Sequence, residues 1–329
     1  MKVLIYRDKK KPFTDYEERY YRNIKNLVSQ INKDEVVDEI EDEYDIAHFI
    51  SLKFKNVLLK VKKERKCPIV VTYDIIKRTK LEIDDPSEVK ISSDDVKLLN
   101  QVNLVIALSQ SDKFVMVNNG VETPIEVIGG GSKPQKFYEM NELELKAFSQ
   151  YASLNKTDSY AISVINYKCI KDVQMIIDLA REFKNIKFFI FTKKIRLFRM
   201  PHKSYALLKR PPVNVKCIYM MDEDLYKSAL MNASYFIVPY DTSATSMIIF
   251  DAMITRTPIF SIYSQAVDDI LFHKHNAYIS FNTEQMIQNI KDYINGDLPS
   301  LLDKAYKYAK GDSFEIVASK IKEAYQRLI

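Results

Sequence analysis

Short apolar runs alternate with longer stretches of helical period along most of this 329-residue chain. Apolar residues cluster at 3–6, 46–50, 69–73, 104–108 and 125–128. Runs of this length, bounded by polar segments, read as buried strands. Between them, 52–65, 93–100 and 111–118 repeat their apolar positions at helical spacing. A helix over 14–31 opens with Thr14-x-x-Glu17, which has the form of a capping box. An acidic stretch occupies 35–45. After a polar segment at 132–158 the alternation restarts. It predicts strands at 160–165, 187–192, 215–219, 235–238 and 259–262, with helices at 171–183, 222–231, 246–254, 283–295 and 314–329.

Strands that alternate with helices imply βαβ units and parallel sheets. Two such series, separated by the polar segment, predict an α/β chain of two Rossmann-like domains facing each other across a cleft. The expected division is 1–155 and 156–312, followed by the terminal helix over 313–329.

Residues 235–260 carry the most chemical information. The apolar run Tyr235 to Val238 stops at Pro239, and a segment of small polar residues follows from Asp241 to Ser246. An amphipathic run then leads into a second apolar strand. In an open α/β sheet such a loop lies at the carboxyl end of a strand, where ligands bind. Its N–H groups and the helix dipole favour an anion such as a diphosphate. Elsewhere the chain avoids glycine, with six in all, yet three stand together as Gly129-Gly130-Gly131. That clustering points to close backbone approach or a positive φ.

Composition narrows the class. At 47% apolar and 28% charged the chain is ordinary for a globular protein. No apolar run approaches the 18 residues or so of a spanning helix. The first apolar run turns charged at Arg7, too early for a secretory leader. The three cysteines, Cys67, Cys169 and Cys217, are scattered and read as buried reduced thiols of a cytoplasmic protein. The net charge of +5 is mild but uneven, with basic runs at 9–11, 60–66 and 193–210. The last interleaves cations with Leu, Phe, Met and Tyr, a mixture suited to an anionic membrane surface or to phosphate-bearing ligands. No nucleic-acid-binding motif accompanies the charge. His202, His273 and His275 lack Cys or Glu partners at metal-ligand spacing, and Asp222-Glu223-Asp224 reads as a helix start. A metal-independent chemistry without a cofactor is expected.

Several segments resemble the GT-B glycosyltransferases, in particular the large retaining family 4. Asp251-Ala252-Met253-Ile254-Thr255-Arg256-Thr257-Pro258-Ile259 lines up with the end of that family's donor motif. Asn276-Ala277-Tyr278, Val105 to Ser109, Ile128 to Gly131 and Asp45-Ile46-Ala47-His48 resemble further family segments. The helix from Phe314 to Ile329 resembles the terminal helix that crosses back towards the first domain. There are departures. Asp251 stands at the second of the family's paired glutamates, and Ser243, eight residues earlier, at the first, with Asp241 nearby. Ala244 and Ser246 replace glycines, Asn166 replaces an arginine while Lys171 keeps the lysine, and Asp74 replaces a histidine.

The resemblance implies a site. Lys171 would contact the donor diphosphate, with Asn166 supplying only a hydrogen bond. The backbone around Thr245, Ser246 and Met247 would hold the diphosphate, and Asp251 would bind the ribose hydroxyls. Ser243 or Asp241 would face the donor sugar, Gly129 and Gly130 would let backbone approach the donor, and His48 would orient a sugar. Asp74 would be the carboxylate at the reacting centre. The activity implied is transfer of a hexose from a nucleotide sugar, UDP-linked, to a lipid or surface-glycan acceptor with retention, by a protein that also contacts the inner face of a membrane. Two alternatives stay open: a non-catalytic GT-B homologue acting as a binding or chaperone subunit, and a nucleotide-sugar epimerase.

Overall fold

A computed structural model describes residues 1–7, 15–73, 89–131, 133, 135–165, 169–192, 202–219, 223–240, 246–264 and 267–329. The chain forms two compact units, Met1–Gly131 with Ser313–Ile329, and Ser132–Asp312.

The first unit holds β1 (Lys2–Ile5), β2 (Glu35–Val37), β3 (Ile46–Phe49), β4 (Ile69–Thr72), β5 (Leu104–Ala107) and β6 (Ile125–Val127). All pair in parallel, in the order β2-β1-β3-β4-β5-β6. Every residue of β3, β4 and β5 is buried, as parallel strands covered on both faces require. α1 (Asp15–Asn26) continues into a π-helical turn at Leu27–Ile31. α2 (Lys55–Glu64), α3 (Ser93–Leu99) and α4 (Gln110–Asn118) supply the other crossovers. The Ser92 and Ser109 hydroxyls cap α3 and α4 by accepting from the N–H groups of Asp95 and Asp112. β2 falls inside the acidic stretch: a three-residue edge strand carrying one exposed glutamate is too short to show a period.

The second unit opens with α5 (Gln135–Tyr138) and α6 (Glu142–Ala152). Its strands are β7 (Ser159–Val164), β8 (Ile186–Thr192), β9 (Val215–Tyr219), β10 (Tyr235–Val238), β11 (Ile259–Ile262) and β12 (Tyr278–Ser280). These too are all parallel, in the order β12-β11-β10-β7-β8-β9. The helices are α7 (Ile170–Glu182), α8 (His202–Lys209), α9 (Glu223–Met231), α10 (Ser246–Ile254), α11 (Thr283–Asn295) and α12 (Leu302–Gly311). The chain runs outward from β7 through β8 to β9, then returns to the other side of β7 as β10. In doubly wound sheets that reversal is where ligands bind.

The units divide at 131/132, ahead of the expected 155/156, and Phe137 and Phe148 of the intervening segment are buried in the second core. Phe148 is fully buried, edge-on to Phe189 at 4.9 Å, and its N–H donates to Ser228 Oγ at 2.9 Å. Asn141 starts α6 with a complete capping box through Glu144. Asn141→Ala is expected to destabilise the second unit by about 1 kcal/mol in urea unfolding. A helix end that needed no cap would leave the midpoint unchanged.

Two other elements differ from their sequence patterns. α10 is buried around its whole circumference: Ile248, Ile249, Phe250, Ala252, Met253 and Ile254 are each at most 3% exposed. Within the basic stretch, 202–209 is a helix with Ser204 buried, and 193–201 lies outside the described residues. At the end of the chain α13 (Phe314–Gln326) buries Val317, Ala318, Ile321, Ala324 and Tyr325 in the first unit's core. Asn32 Nδ2 donates to the Ala318 carbonyl and Lys322 Nζ to the Asn32 carbonyl, each at 3.0 Å.

Candidate functional site

At the reversal point β7 and β10 lie side by side, with Ser163 opposite Ile237. The buried Ser163 hydroxyl donates to the Ile237 carbonyl at 2.8 Å. Beyond β7 the chain enters α7 at Cys169, and beyond β10 it passes Pro239 and Tyr240. The buried side chain of Asp172, in the first turn of α7, accepts from the Tyr240 N–H at 2.9 Å. This bond ties the start of α7 to the end of β10. Sequence reasoning missed Asp172, because an Asp in a first helical turn reads as ordinary dipole compensation.

Lys171, one position earlier, is exposed and makes no hydrogen bond or ion pair among the described residues. A cation at a helix start opposes the dipole, and among the described residues no ion pair or hydrogen bond offsets that. An anionic ligand would reverse that balance. Ser246 and Met247 form the amino end of α10, whose backbone N–H groups lack partners within the helix itself. Asn166, Asp241, Ser243, Thr245 and Asp74 lie outside the described residues.

Asp251 is neither solvated nor alone. It is 3% exposed in the middle of α10. Its Oδ2 accepts from Lys136 Nζ at 2.7 Å and from the Tyr226 hydroxyl at 3.3 Å. Three elements, α5, α9 and α10, therefore converge on one carboxylate. Lys136 stands 115 positions earlier in the chain, and no sequence pattern links the two.

His48 is expected to reach towards a sugar, and the structure places it differently. It lies within β3 at 0% exposure. Nδ1 is 2.6 Å from the Tyr325 hydroxyl and Nε2 is 2.8 Å from Thr72 Oγ1. A neutral imidazole has one donor and one acceptor, and both are occupied inside the first unit. Burial pushes its pKa down to about 3. Its proton is therefore bound more tightly by the unfolded chain, where an ordinary histidine titrates near 6.5. Stability is unaffected above pH 6.5 and falls as pH drops from there towards 3, by up to about 1.4 kcal/mol per pH unit. His48→Gln is expected to flatten that acid slope in urea unfolding between pH 6.5 and 4.5. An unchanged slope would show that other groups set it.

Gly129 and Gly130 follow β6 and belong to the first unit, whereas Lys171 and Asp251 belong to the second. Of the three consecutive glycines only Gly131 adopts a left-handed conformation, with φ 64°. His273 Nδ1 accepts from the Ile279 N–H at 3.0 Å, a turn contact. Among the described residues no three His, Cys, Asp or Glu side chains stand together as metal ligands. No described helix is long and apolar enough to cross a membrane.

No family model matches the chain. It is 22% identical over 228 residues to the processive diacylglycerol alpha-glucosyltransferase of Acholeplasma laidlawii, covering 69% of this chain and 68% of that protein. Among solved structures it is similar to Anabaena HepE in complex with UDP-glucose, with a TM-score of 0.75, 14% identity and full coverage of both chains. It is also similar to the sucrose-phosphate synthase of Thermosynechococcus elongatus, with a TM-score of 0.70 and 11% identity, over 96% of this chain and 80% of that one. The sheet orders and these likenesses agree: the chain has a GT-B-like architecture of two Rossmann-like α/β domains with parallel sheets.

Proposed function

We propose that the protein is a glycosyltransferase that moves a hexose from a UDP-sugar to a lipid or surface-glycan acceptor, with retention and without a metal ion. One observation carries the reading. At the reversal point of the second sheet an exposed Lys171, without an ion pair among the described residues, stands on the first turn of α7, which Asp172 ties to the strand leading to α10. Breaking the bond between the anomeric carbon and phosphate builds charge on the leaving diphosphate. A fixed cation and helix-end N–H groups stabilise such charge without reorganising. The likenesses to HepE, which binds UDP-glucose, and to the Acholeplasma diacylglycerol glucosyltransferase support a UDP-sugar donor and a lipid acceptor.

The test is calorimetric titration with UDP and UDP-glucose, followed by mass-spectrometric detection of glycosylated diacylglycerol or glycan in the presence of a chelator. Binding without any transfer to either acceptor class would turn the reading to the second one, a binding subunit. The replaced donor-motif positions, Ser243 and Asn166, motivate that alternative. Absence of nucleotide binding by folded protein would sink the donor assignment. Contact with the inner face of a membrane through 193–210 belongs to the same proposal. Lys203, Lys209 and Arg210 are exposed along its described part. Equal binding to anionic and neutral vesicles would remove it.

A further inference from the structure

We infer that Lys136 is a donor-contacting residue, and that the Lys136–Asp251 pair, not Asp251 alone, reads the ribose diol of the nucleotide. The inference rests on the UDP-sugar reading above. A vicinal diol both donates and accepts hydrogen bonds, whereas a carboxylate only accepts. An ammonium paired with a carboxylate offers both functions in one place. Lys136 Nζ lies 2.7 Å from Asp251 Oδ2, and the lysine is the more open partner, its side chain 15% exposed against 4%. An ammonium has three donors, so its bond to Oδ2 leaves others for hydroxyl oxygens.

The pair is held from outside. Tyr226, 1% exposed, donates to the same Oδ2 and meets Phe191 edge-on at 6.2 Å. On the other side the Lys136 ammonium lies 4.8 Å from the Phe137 ring centroid, and Phe137 is buried in the second core. Both charges thus sit on side chains whose neighbours are packed, which fixes the distance between donor and acceptor. Asp251 is also the one charged residue of α10. A helix otherwise buried all round gains nothing in packing from a carboxylate.

The experiment compares UDP with 2′-deoxy-UDP by calorimetry on the full chain. Wild type is expected to prefer UDP by roughly tenfold, the worth of one charged hydrogen bond. Lys136→Met is expected to bring UDP affinity down to that of the deoxynucleotide, the ratio approaching one, with the far-UV circular dichroism of the wild type. Asp251→Asn should do the same. If Lys136→Met keeps the tenfold preference while Asp251→Asn loses it, the lysine is structural and the inference falls while the donor reading stands. If wild type binds both nucleotides equally, the ribose contact itself is wrong and the inference falls, whereas absence of binding to either sinks the donor reading as well. Should the methionine variant fail to fold, Lys136→Gln keeps donors beside the buried carboxylate and is expected to lower the preference at least threefold. An undiminished preference there overturns the inference equally.

Discussion

Lys171→Ala is expected to lower kcat/KM for sugar transfer by about 10²–10³-fold, the usual effect of removing one fixed donor from a developing oxyanion. The fold should be untouched. Lys171 is exposed and makes no hydrogen bond or ion pair among the described residues that the substitution would break. Removing a cation from the first turn of α7 relieves an unfavourable dipole interaction, so Tm should stay level or rise slightly. Lys171→Arg keeps the charge and should retain most of the activity. Initial rates with UDP-glucose and a lipid or glycan acceptor give the answer. Unchanged kinetics in the alanine variant would remove Lys171 from the diphosphate site.

Tyr325→Ala is expected to destabilise the first unit by about 3–5 kcal/mol from the void alone. A further 1–3 kcal/mol or so follows from leaving a buried imidazole nitrogen without its partner. Tyr325 is fully buried, its ring edge-on to His48 at 5.8 Å and its hydroxyl 2.6 Å from Nδ1. Set against a typical domain stability of about 5–15 kcal/mol, that loss leaves the first unit marginal at best. Tyr325→Phe separates the two contributions, because it keeps the ring and deletes only the hydroxyl. It should cost no more than the second figure in urea unfolding at pH 7. Equal losses for both variants would place the whole effect in the hydrogen bond.

Much of the architecture was legible in the linear pattern. Buried parallel strands need near-continuous apolar runs, and those at 46–50, 69–73 and 104–108 gave β3, β4 and β5 within a residue or two. The stretch 235–260 resolved into β10, α10 and β11, where Pro239 and the polar segment punctuate the chain. Elements that escaped were short or mixed in character. β2 and β12 have three residues each, and α8 mixes exposed lysines with apolar residues, so its sequence cannot be told from a solvated connection without the core beside it.

The candidate site was legible as residue types at positions, not as an arrangement. The chain by itself determined that two βαβ series exist, that a helix begins just after the Tyr235–Val238 strand, and that a lysine opens another helix after Ser159–Val164. Those features follow from local period and punctuation, which act over a few residues. Only the tertiary structure decided that His48 is sealed by Tyr325, 277 positions away, that Asp251 is met by Lys136, and that Asp172 clamps Tyr240. Burying a polar group is tolerated only where a partner arrives from elsewhere in the chain. Which partner arrives depends on how sheets and helices assemble, and that is not written in the spacing of neighbours.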